Sequence, residues 1–179
     1  MKPPGSLYLV GMMGAGKTTV GRLLARRLKL RFYDSDHEIE RRCGVKVPLI
    51  FDIEGEAGFR ARESQVLAEL TALDSVVLAT GGGTVLAEEN RRRLAAGGTV
   101  VYLCAQPEDL YERVRQDRNR PLLATADPLA RLRELFVQRD PLYRAVADHV
   151  VDTGRQTVQS LARALVDQLQ LADRWKASA

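Results

Sequence analysis

Residues 11–18, GMMGAGKT, fit the pattern G-x-x-x-x-G-K-[ST] in full, and their neighbours restrict the fold further. A short apolar segment, LYLV at 7–10, precedes this loop, and TTVGRLLARRLKL at 18–30 follows with leucines at helical spacing. A glycine-rich loop between a strand and a helix lets backbone amides close around phosphate oxygens, and the helix directs its positive end to the same place. The segment therefore predicts a loop that binds a nucleoside triphosphate at the end of a buried strand.

The rest of the chain alternates short apolar segments with helical patterns. Further strands are predicted at 31–34, 75–80, 99–104 and 149–153, and the clearest helices at 55–70, 105–114, 128–146 and 157–170. This alternation predicts a single α/β domain over residues 1–179, with a central, mainly parallel five-stranded sheet and helices on both faces. In such a fold, ligands bind outside the carboxyl ends of the strands.

The basic charge of the chain raises the question of a nucleic-acid partner. The net charge is +4 and the pI is about 9.3. The arginines, however, are scattered through helical patterns, and the densest run, NRRRL at 90–94, lacks interleaved aromatic residues. This pattern is typical of a solvated helix face, so we expect no nucleic-acid partner.

Hydropathy and cysteine content indicate the compartment. No stretch approaches the roughly eighteen apolar residues of a transmembrane helix, and the start, MKPPGSLYLV, lacks a long apolar run with a cleavage site. We therefore expect neither a membrane partner nor a secretory signal. Cys43 and Cys104 are far apart and lack metal-ligand spacing, which suits a reducing cytoplasm.

Two aspartates, Asp34 and Asp36, follow the second apolar segment in FYDSDHEIE. Acids this close repel each other unless a positive group lies nearby, and Mg²⁺ beside the phosphate loop supplies one, with Asp34 as its direct or water-mediated ligand. Alternation along an extended chain turns Ser35 away and returns Asp36 to the same side, where an acceptor hydroxyl approaches the γ-phosphate. Asp36 then accepts that hydroxyl's hydrogen bond or its proton. The alternative is that Asp36 or Ser35 only caps the helix DHEIERR.

Two loops carry the remaining phosphate and ligand chemistry. In the first, Lys17 reaches the β- and γ-phosphates and the Thr18 hydroxyl ligates Mg²⁺. In the second, TGGGT at 80–84, three consecutive glycines let a ligand press against the backbone, the alternative being a tight turn without a ligand. The preceding strand, VVLAT, has no terminal aspartate of the kind that nucleotide hydrolases use for magnesium. This absence favours Asp34 as the metal carboxylate and weakens a motor or helicase interpretation.

Four arginines are candidates for anionic ligands, although each alone is also typical of a surface residue. Arg60 follows GEAGF, and Arg139 lies in QRDPLY. Arg120 lies in an irregular polar segment, about 116–128, that predicts a mobile lid delivering positive charge to the γ-phosphate. Arg113, one to two helical turns earlier, is a candidate for stacking on the nucleotide base.

The chain resembles shikimate kinase from about Leu7 to Gln170. The resemblance rests on six segments in the family's order: GMMGAGKTT, FYDSDHEIE, GEAGFRARE, TGGGTV, RNRPLL and RDPLYR. It implies a P-loop kinase fold similar to the nucleoside monophosphate kinases. It also implies ATP-dependent phosphorylation of the 3-hydroxyl of shikimate, a step towards aromatic amino acids, by an expected monomer acting on two small molecules.

The resemblance also implies a role for each matching residue. Lys17, Asp36 and Arg120 are the implied catalytic residues, and Thr18 and Asp34 the implied Mg²⁺ ligands. The implied ATP contacts are Gly14, Ala15, Gly16, Lys17, Thr18, Thr19, Arg113, Arg120 and Gln156. The implied shikimate contacts are Asp36, Arg60, Gly81, Gly82, Gly83 and Arg139, with a shikimate-binding region at about 34–62.

Two other functions compete with this one. Another P-loop kinase for a small acceptor, gluconate or a nucleoside monophosphate, has the same phosphate loop, but Asp34-x-Asp36 together with Gly81–Gly83 argues against it. An ATP-binding switch or a nucleic-acid-associated ATPase without a small acceptor is the second. It predicts an affinity for DNA or RNA that falls steeply with salt concentration.

Overall fold

Strands and helices alternate along the chain in a computed structural model that describes residues 5–117, 120–154 and 156–168. Within these ranges the strands are β1 (Leu7–Val10), β2 (Arg31–Asp34), β3 (Val76–Ala79), β4 (Thr99–Cys104) and β5 (His149–Asp152). The helices are α1 (Lys17–Leu28), α2 (Ser35–Cys43), α3 (Val47–Thr71), α4 (Glu88–Gly97), α5 (Pro107–Val114), α6 (Pro128–Val146) and α7 (Val158–Gln168). Two short 3₁₀ turns, Thr84–Leu86 and Pro121–Leu123, complete the described chain.

The five strands form one sheet in the order β2-β3-β1-β4-β5, and every pairing is parallel. This confirms the mainly parallel sheet predicted from the sequence. β1 is central: Leu9 pairs with Ala79 on one side, and Val10 pairs with Tyr102 on the other. The glycine loop after β1 therefore leaves the middle of the carboxyl edge, where chain connections diverge to the two halves of the sheet.

Helices cover both faces of the sheet. Leu7–Val10 is fully buried, as expected for a strand with packing on both sides. Leu9 packs against Gly21 of α1, whereas the hydroxyl of the adjacent Tyr8 donates to the carbonyl of Thr71 (3.4 Å) at the end of α3. Because successive side chains of a strand point to opposite faces, α1 and α3 lie on opposite sides.

The long helix α3 differs from the sequence prediction. We predicted a helix over 55–70, but α3 begins at Val47 with Pro48 in its first turn, where the missing N–H of proline costs nothing. Gly55 interrupts it with φ of 70° and ψ of 179°, a backbone conformation that favours glycine. The start predicted for this helix is thus a kink between two helical segments, and the first segment was missed.

The arginine run of residues 90–94 lies on α4, as predicted. Arg92 pairs with Glu88 and Arg93 with Glu89, one turn apart. Arg91 is half-buried and donates to the carbonyl of Val85 (2.6 Å). Among the described residues, no helix is long and apolar enough to cross a membrane.

Candidate active site

The glycine loop between β1 and α1 surrounds the amino group of Lys17. Gly11, Gly14 and Gly16 all have positive φ, and α1 begins at Lys17. The Lys17 Nζ is buried and donates to the carbonyls of Gly11 (2.7 Å) and Met12 (2.8 Å). The loop thus holds one cation beside the helix N-terminus, which is the arrangement that binds phosphate groups.

Two adjoining cavities open at this edge of the sheet. The first, which we call the phosphate-loop cavity, has a volume of about 300 Å³ and is lined by Gly14, Gly16, Lys17, Thr19 and Arg113, among others. Its size and position suit the phosphates of a nucleotide.

The second, the arginine cavity, has a volume of about 260 Å³ and contains Arg60, Glu63, Arg139 and the loop Gly81–Gly83. The two cavities share a wall to which Thr18, Asp34, Asp36, Gly82 and Arg120 all contribute. The structure therefore brings the predicted phosphate, metal and acceptor residues to one boundary.

Asp34 caps α2, which corrects the sequence-based geometry. Its Oδ1 accepts from the backbone N–H groups of Asp36 and His37, both at 3.1 Å, and its Oδ2 accepts from the Thr18 hydroxyl at 2.5 Å. The chain turns into a helix at Ser35, so the extended alternation predicted for Asp34–Asp36 is wrong. The predicted alternative cap by Ser35 or Asp36 is also wrong. Asp36 nevertheless reaches the shared wall, from the first turn of α2.

The Asp36 carboxyl group is strongly perturbed. Its Oδ1 is buried and has no hydrogen-bond partner among the described residues. Burial raises the pKa of Asp36 to about 7, helped by the negative charges of Glu63 and Asp34. The positive charges of Lys17 and Arg120 oppose this shift. A carboxyl group with a pKa near neutrality is matched to accepting a proton at physiological pH.

This perturbation predicts that Asp36→Asn stabilises the fold at neutral pH. The folded chain holds the Asp36 proton more tightly than the unfolded chain, so ionisation costs folding free energy as pH rises from 3.8 to about 7. Asparagine has no charge to bury. The Tm of the Asp36→Asn variant should therefore exceed that of the unmodified chain at pH 8 by roughly 2–6 °C. The gain should vanish near pH 4, and a Tm difference independent of pH would contradict this account.

The glycine loop after β3 packs directly against the functional side chains. A Cβ atom at Gly81 would lie 2.6 Å from Glu63 Oε1 and 2.7 Å from Asp36 Oδ1. A Cβ atom at Gly83 would overlap the guanidinium group of Arg60. The absence of side chains at these positions is therefore what lets the loop form the floor of the arginine cavity.

The two arginines predicted to bind an acid lie in the same cavity. Arg60 on α3 donates to Glu63 Oε2 (2.9 Å) and Glu56 Oε1 (3.1 Å). Arg139 on α6 is only 2% exposed, and its Nε is buried without a hydrogen-bond partner among the described residues. Burial lowers the pKa of Arg139, and the charge of Arg60 adds to this shift. Two guanidinium groups in one cavity suit a carboxylate ligand.

Two further arginines lie around the phosphate-loop cavity. Arg120 borders both cavities, and its Nε donates to Asp117 Oδ2 (2.9 Å). Arg113 on α5 donates to the carbonyls of Gly14 (3.2 Å) and Gly154 (2.8 Å), connecting the phosphate loop to the segment after β5. Arg113 thus lies beside the phosphate loop, and its stacking on the nucleotide base stays a prediction.

Two features predicted for the site, Gln156 and the lid, lie wholly or partly outside the two cavities. Gln156 is exposed and lines neither cavity, so its predicted ATP contact stays a prediction. Of the predicted lid, about 116–128, residues 118 and 119 lie outside the described residues. Pro121 and Leu122 border the arginine cavity, and Asp127 caps α6. The mobility of this segment stays a prediction.

Sequence reasoning missed two features of the arginine cavity. Glu63 is 1% exposed and accepts from both Arg60 and the Thr84 hydroxyl (2.9 Å). Its spacing of three residues from Arg60 on one helix was the available signal. The apolar wall of Phe51, with its ring centroid 4.8 Å from that of Phe59, gave no signal beyond ordinary core hydrophobicity.

Magnesium fits the donor set at the shared wall. Among the described residues there is no cluster of three or more His, Cys, Asp or Glu side chains that would hold a metal ion without help. Mg²⁺ in phosphoryl-transfer sites needs only one or two protein oxygens because phosphates and water complete its shell. Thr18 Oγ1 and Asp34 Oδ2, already in contact, supply that pair.

The chain is similar to proteins of one family over most of its length. The family model for shikimate kinase matches residues 13–170. A shikimate kinase of Thiobacillus denitrificans is 62% identical over 166 residues, covering 93% of this chain and 91% of the relative. A shikimate kinase of Ralstonia nicotianae is 60% identical over 167 residues, covering 93% and 88%.

Solved structures agree with the sequence relatives. Shikimate kinase from Acinetobacter baumannii, solved in complex with shikimate, superposes with a TM-score of 0.92 at 48% identity and covers 94% of each chain. A gluconokinase from Sinorhizobium meliloti, covering 100% of this chain and 99% of its own, reaches a TM-score of only 0.57 at 17% identity and shares the fold alone. Together with the two cavities that meet at Asp36, these similarities show that the chain belongs to the shikimate kinase family.

Proposed function

We propose that this chain transfers the γ-phosphoryl group of ATP to the 3-hydroxyl of shikimate. The products are shikimate 3-phosphate and ADP, in the biosynthesis of aromatic amino acids. The observation that carries this proposal is the shared wall, where Asp36 separates the phosphate loop from a cavity containing two arginines. The family and the relative solved with shikimate support the choice of acceptor.

The arginine cavity has the chemistry to hold shikimate. Arg60 and Arg139 bind its carboxylate through charge-assisted hydrogen bonds, each contributing roughly 1.5–3 kcal/mol when well formed. Asp36 accepts from the hydroxyl that reacts. The apolar face of the ring packs against Phe51 and Leu122, which border the same cavity.

The phosphate-loop cavity holds the triphosphate. Backbone amides of Gly14–Thr19 bind the phosphate oxygens, Lys17 binds the β- and γ-phosphates, and Arg113 lies towards the base. Thr18 and Asp34 would hold Mg²⁺, whose charge offsets that of the phosphates when the ion is bound. Magnesium as the cofactor rests on this donor set and on the kinase family.

The transfer itself requires little covalent chemistry from the protein. The 3-oxygen of shikimate forms a bond to the γ-phosphorus while the bond between that phosphorus and the β–γ bridging oxygen breaks, so ADP leaves. The hydroxyl proton passes to Asp36 or to water after Asp36 has oriented the oxygen. Lys17 in the phosphate-loop cavity and Arg120 in the shared wall stabilise the charge on the transferring group.

A panel of acceptors tests the proposal. Purified chain with ATP and Mg²⁺ is offered shikimate, gluconate, a nucleoside monophosphate or no acceptor, and ADP formation is measured. Only shikimate should support rapid turnover, because its rigid ring fixes the distance between the carboxylate at the two arginines and the hydroxyl at Asp36, whereas gluconate is an open chain and a nucleoside monophosphate lacks the carboxylate. Turnover with gluconate or a nucleotide but not with shikimate would refute the assignment. Turnover stimulated by DNA or RNA instead would favour the ATPase alternative.

We propose that the chain works as a monomer in the cytoplasm on small molecules, without nucleic-acid or membrane partners. The free thiols of Cys43 and Cys104 are compatible with a reducing compartment.

A further inference from the structure

Two buried tyrosines pack ring to ring behind the arginine cavity, yet their hydroxyl groups have different partners. Tyr102 on β4 and Tyr143 on α6 have ring centroids 4.9 Å apart. The Tyr102 hydroxyl donates to Asp140 Oδ1 (2.8 Å). The Tyr143 hydroxyl donates to the carbonyl of Gly82. Of the two, Tyr143 is thus the one connected to the glycine loop of the arginine cavity.

Tyr143 also interacts with the buried arginine of that cavity. Arg139 lies one helical turn earlier on α6. Burial raises the pKa of Tyr143 and lowers that of Arg139, and each group opposes the shift of the other because a phenol oxygen beside a guanidinium group favours both charged forms. A Cβ atom at Gly82 would lie 3.5 Å from Arg139 Nη1, so the three groups meet at one point.

We propose that Tyr143 is a positioning residue, whose hydroxyl holds the Gly82 carbonyl and the Arg139 guanidinium in the arrangement that binds the acceptor carboxylate. Tyr143 is fully buried and does not line the cavity, so it acts through these two neighbours. The assignment rests on the proposed function, because it concerns the acceptor of that reaction.

The physical reason is the cost of disorder in a buried charged site. Arg139 has a long side chain, and its Nε is without a hydrogen-bond partner among the described residues. A guanidinium group forms two aligned hydrogen bonds to a carboxylate only if its plane is held in place. The Tyr143 hydroxyl restricts both this group and the adjacent Gly82 backbone. Loss of the Tyr143 hydroxyl should weaken the binding of the carboxylate by Arg139 equally in the ground state and the transition state. This raises KM with little effect on kcat.

The test compares Tyr143→Phe with the matched control Tyr102→Phe. Each variant deletes one buried hydroxyl from the same aromatic pair, so both are expected to fold and to lose a similar amount of thermal stability. For Tyr143→Phe, KM for shikimate should rise about fivefold to tenfold, which is the effect of one net hydrogen bond. Its kcat and its KM for MgATP should stay close to those of the unmodified chain. Tyr102→Phe should leave all three constants unchanged.

An acceptor analogue separates positioning from general loosening. Shikimate whose carboxylate is reduced to a hydroxymethyl group has lost the group that Arg139 binds. With this analogue, Tyr143→Phe and the unmodified chain should have the same KM, because there is no carboxylate whose binding the Tyr143 hydroxyl could strengthen.

Three results would overturn the assignment. An unchanged KM for shikimate in Tyr143→Phe, or an equal rise in both variants, would reduce Tyr143 to a packing residue. An equally large KM rise with the reduced analogue would show that it does not act on the carboxylate. Failure of the unmodified chain to phosphorylate shikimate would instead refute the proposed function, and this inference with it, before any variant is compared.

Discussion

Asp36→Asn is expected to lower kcat for shikimate by about 10²–10⁴-fold, the usual contribution of a general base. Asparagine keeps the shape of the side chain but cannot take a proton from the acceptor hydroxyl. MgATP binding should be largely retained, because the phosphate loop is formed by other residues. The measurement is steady-state turnover, combined with equilibrium binding of MgATP to the variant.

Asp52→Asn is the control for this prediction. Asp52 is an exposed residue of α3 that lines neither cavity, so the same chemical change there should leave turnover unchanged. In the unmodified chain, kcat/KM should fall below about pH 7 as Asp36 becomes protonated. Normal turnover in Asp36→Asn would remove Asp36 from the chemistry. The kinetic loss should accompany the gain in Tm at pH 8, since the same buried charge causes both.

Arg120→Ala is expected to produce the second large loss, a decrease in kcat of about 10³-fold or more, as for other arginines that stabilise a transferring phosphoryl group. Among the arginines that the structure describes, Arg120 is the one that borders both cavities, which places it where the phosphoryl group is transferred. Arg120→Lys should recover only part of the activity, because an ammonium group supplies charge without the planar fork of donors. Turnover under saturating shikimate and MgATP is the measurement.

Arg115→Ala controls for the removal of positive charge near the same segment. Arg115 follows α5 and is paired with Glu112 (3.4 Å), with both side chains more than half exposed. This variant should have nearly normal kcat, since exposed ion pairs contribute little and Arg115 lines neither cavity. If both alanine variants lost activity to the same extent, the effect would be one of general charge rather than of Arg120.

Local sequence patterns were sufficient for most of the fold. The bounds predicted for β2, β4 and α6 agree with the structure at both ends, because the period of the apolar pattern distinguishes a strand from a helix over a few residues. The phosphate loop was predicted in full, since its glycines, lysine and threonine are adjacent in the chain. The first half of α3 was missed because its exposed apolar residues, Leu49 and Ile53, do not make a periodic buried face.

The position of Asp36 shows the limit of local sequence patterns. The sequence placed Asp36 beside the phosphate site by strand alternation, whereas the structure places it there from the first turn of a helix capped by Asp34. The predicted location of Asp36 was therefore correct, but the predicted extended backbone at Asp34–Asp36 was wrong. Asp34 caps the helix with Oδ1, which accepts from the N–H groups of Asp36 and His37, while its Oδ2 accepts from the Thr18 hydroxyl, a partner that is distant in the sequence.

By itself the sequence determined the alternating α/β fold, the phosphate loop and the kinds of charged residue that an anionic acceptor needs. Only the tertiary structure decided that Asp36 is buried against Glu63, that Arg60 and Arg139 share one cavity, and that Tyr143 reaches Gly82. The physical reason is that a loop motif encodes its own geometry over a few residues. Burial, pKa and shared partners arise only when the order of strands in the sheet brings distant segments into contact.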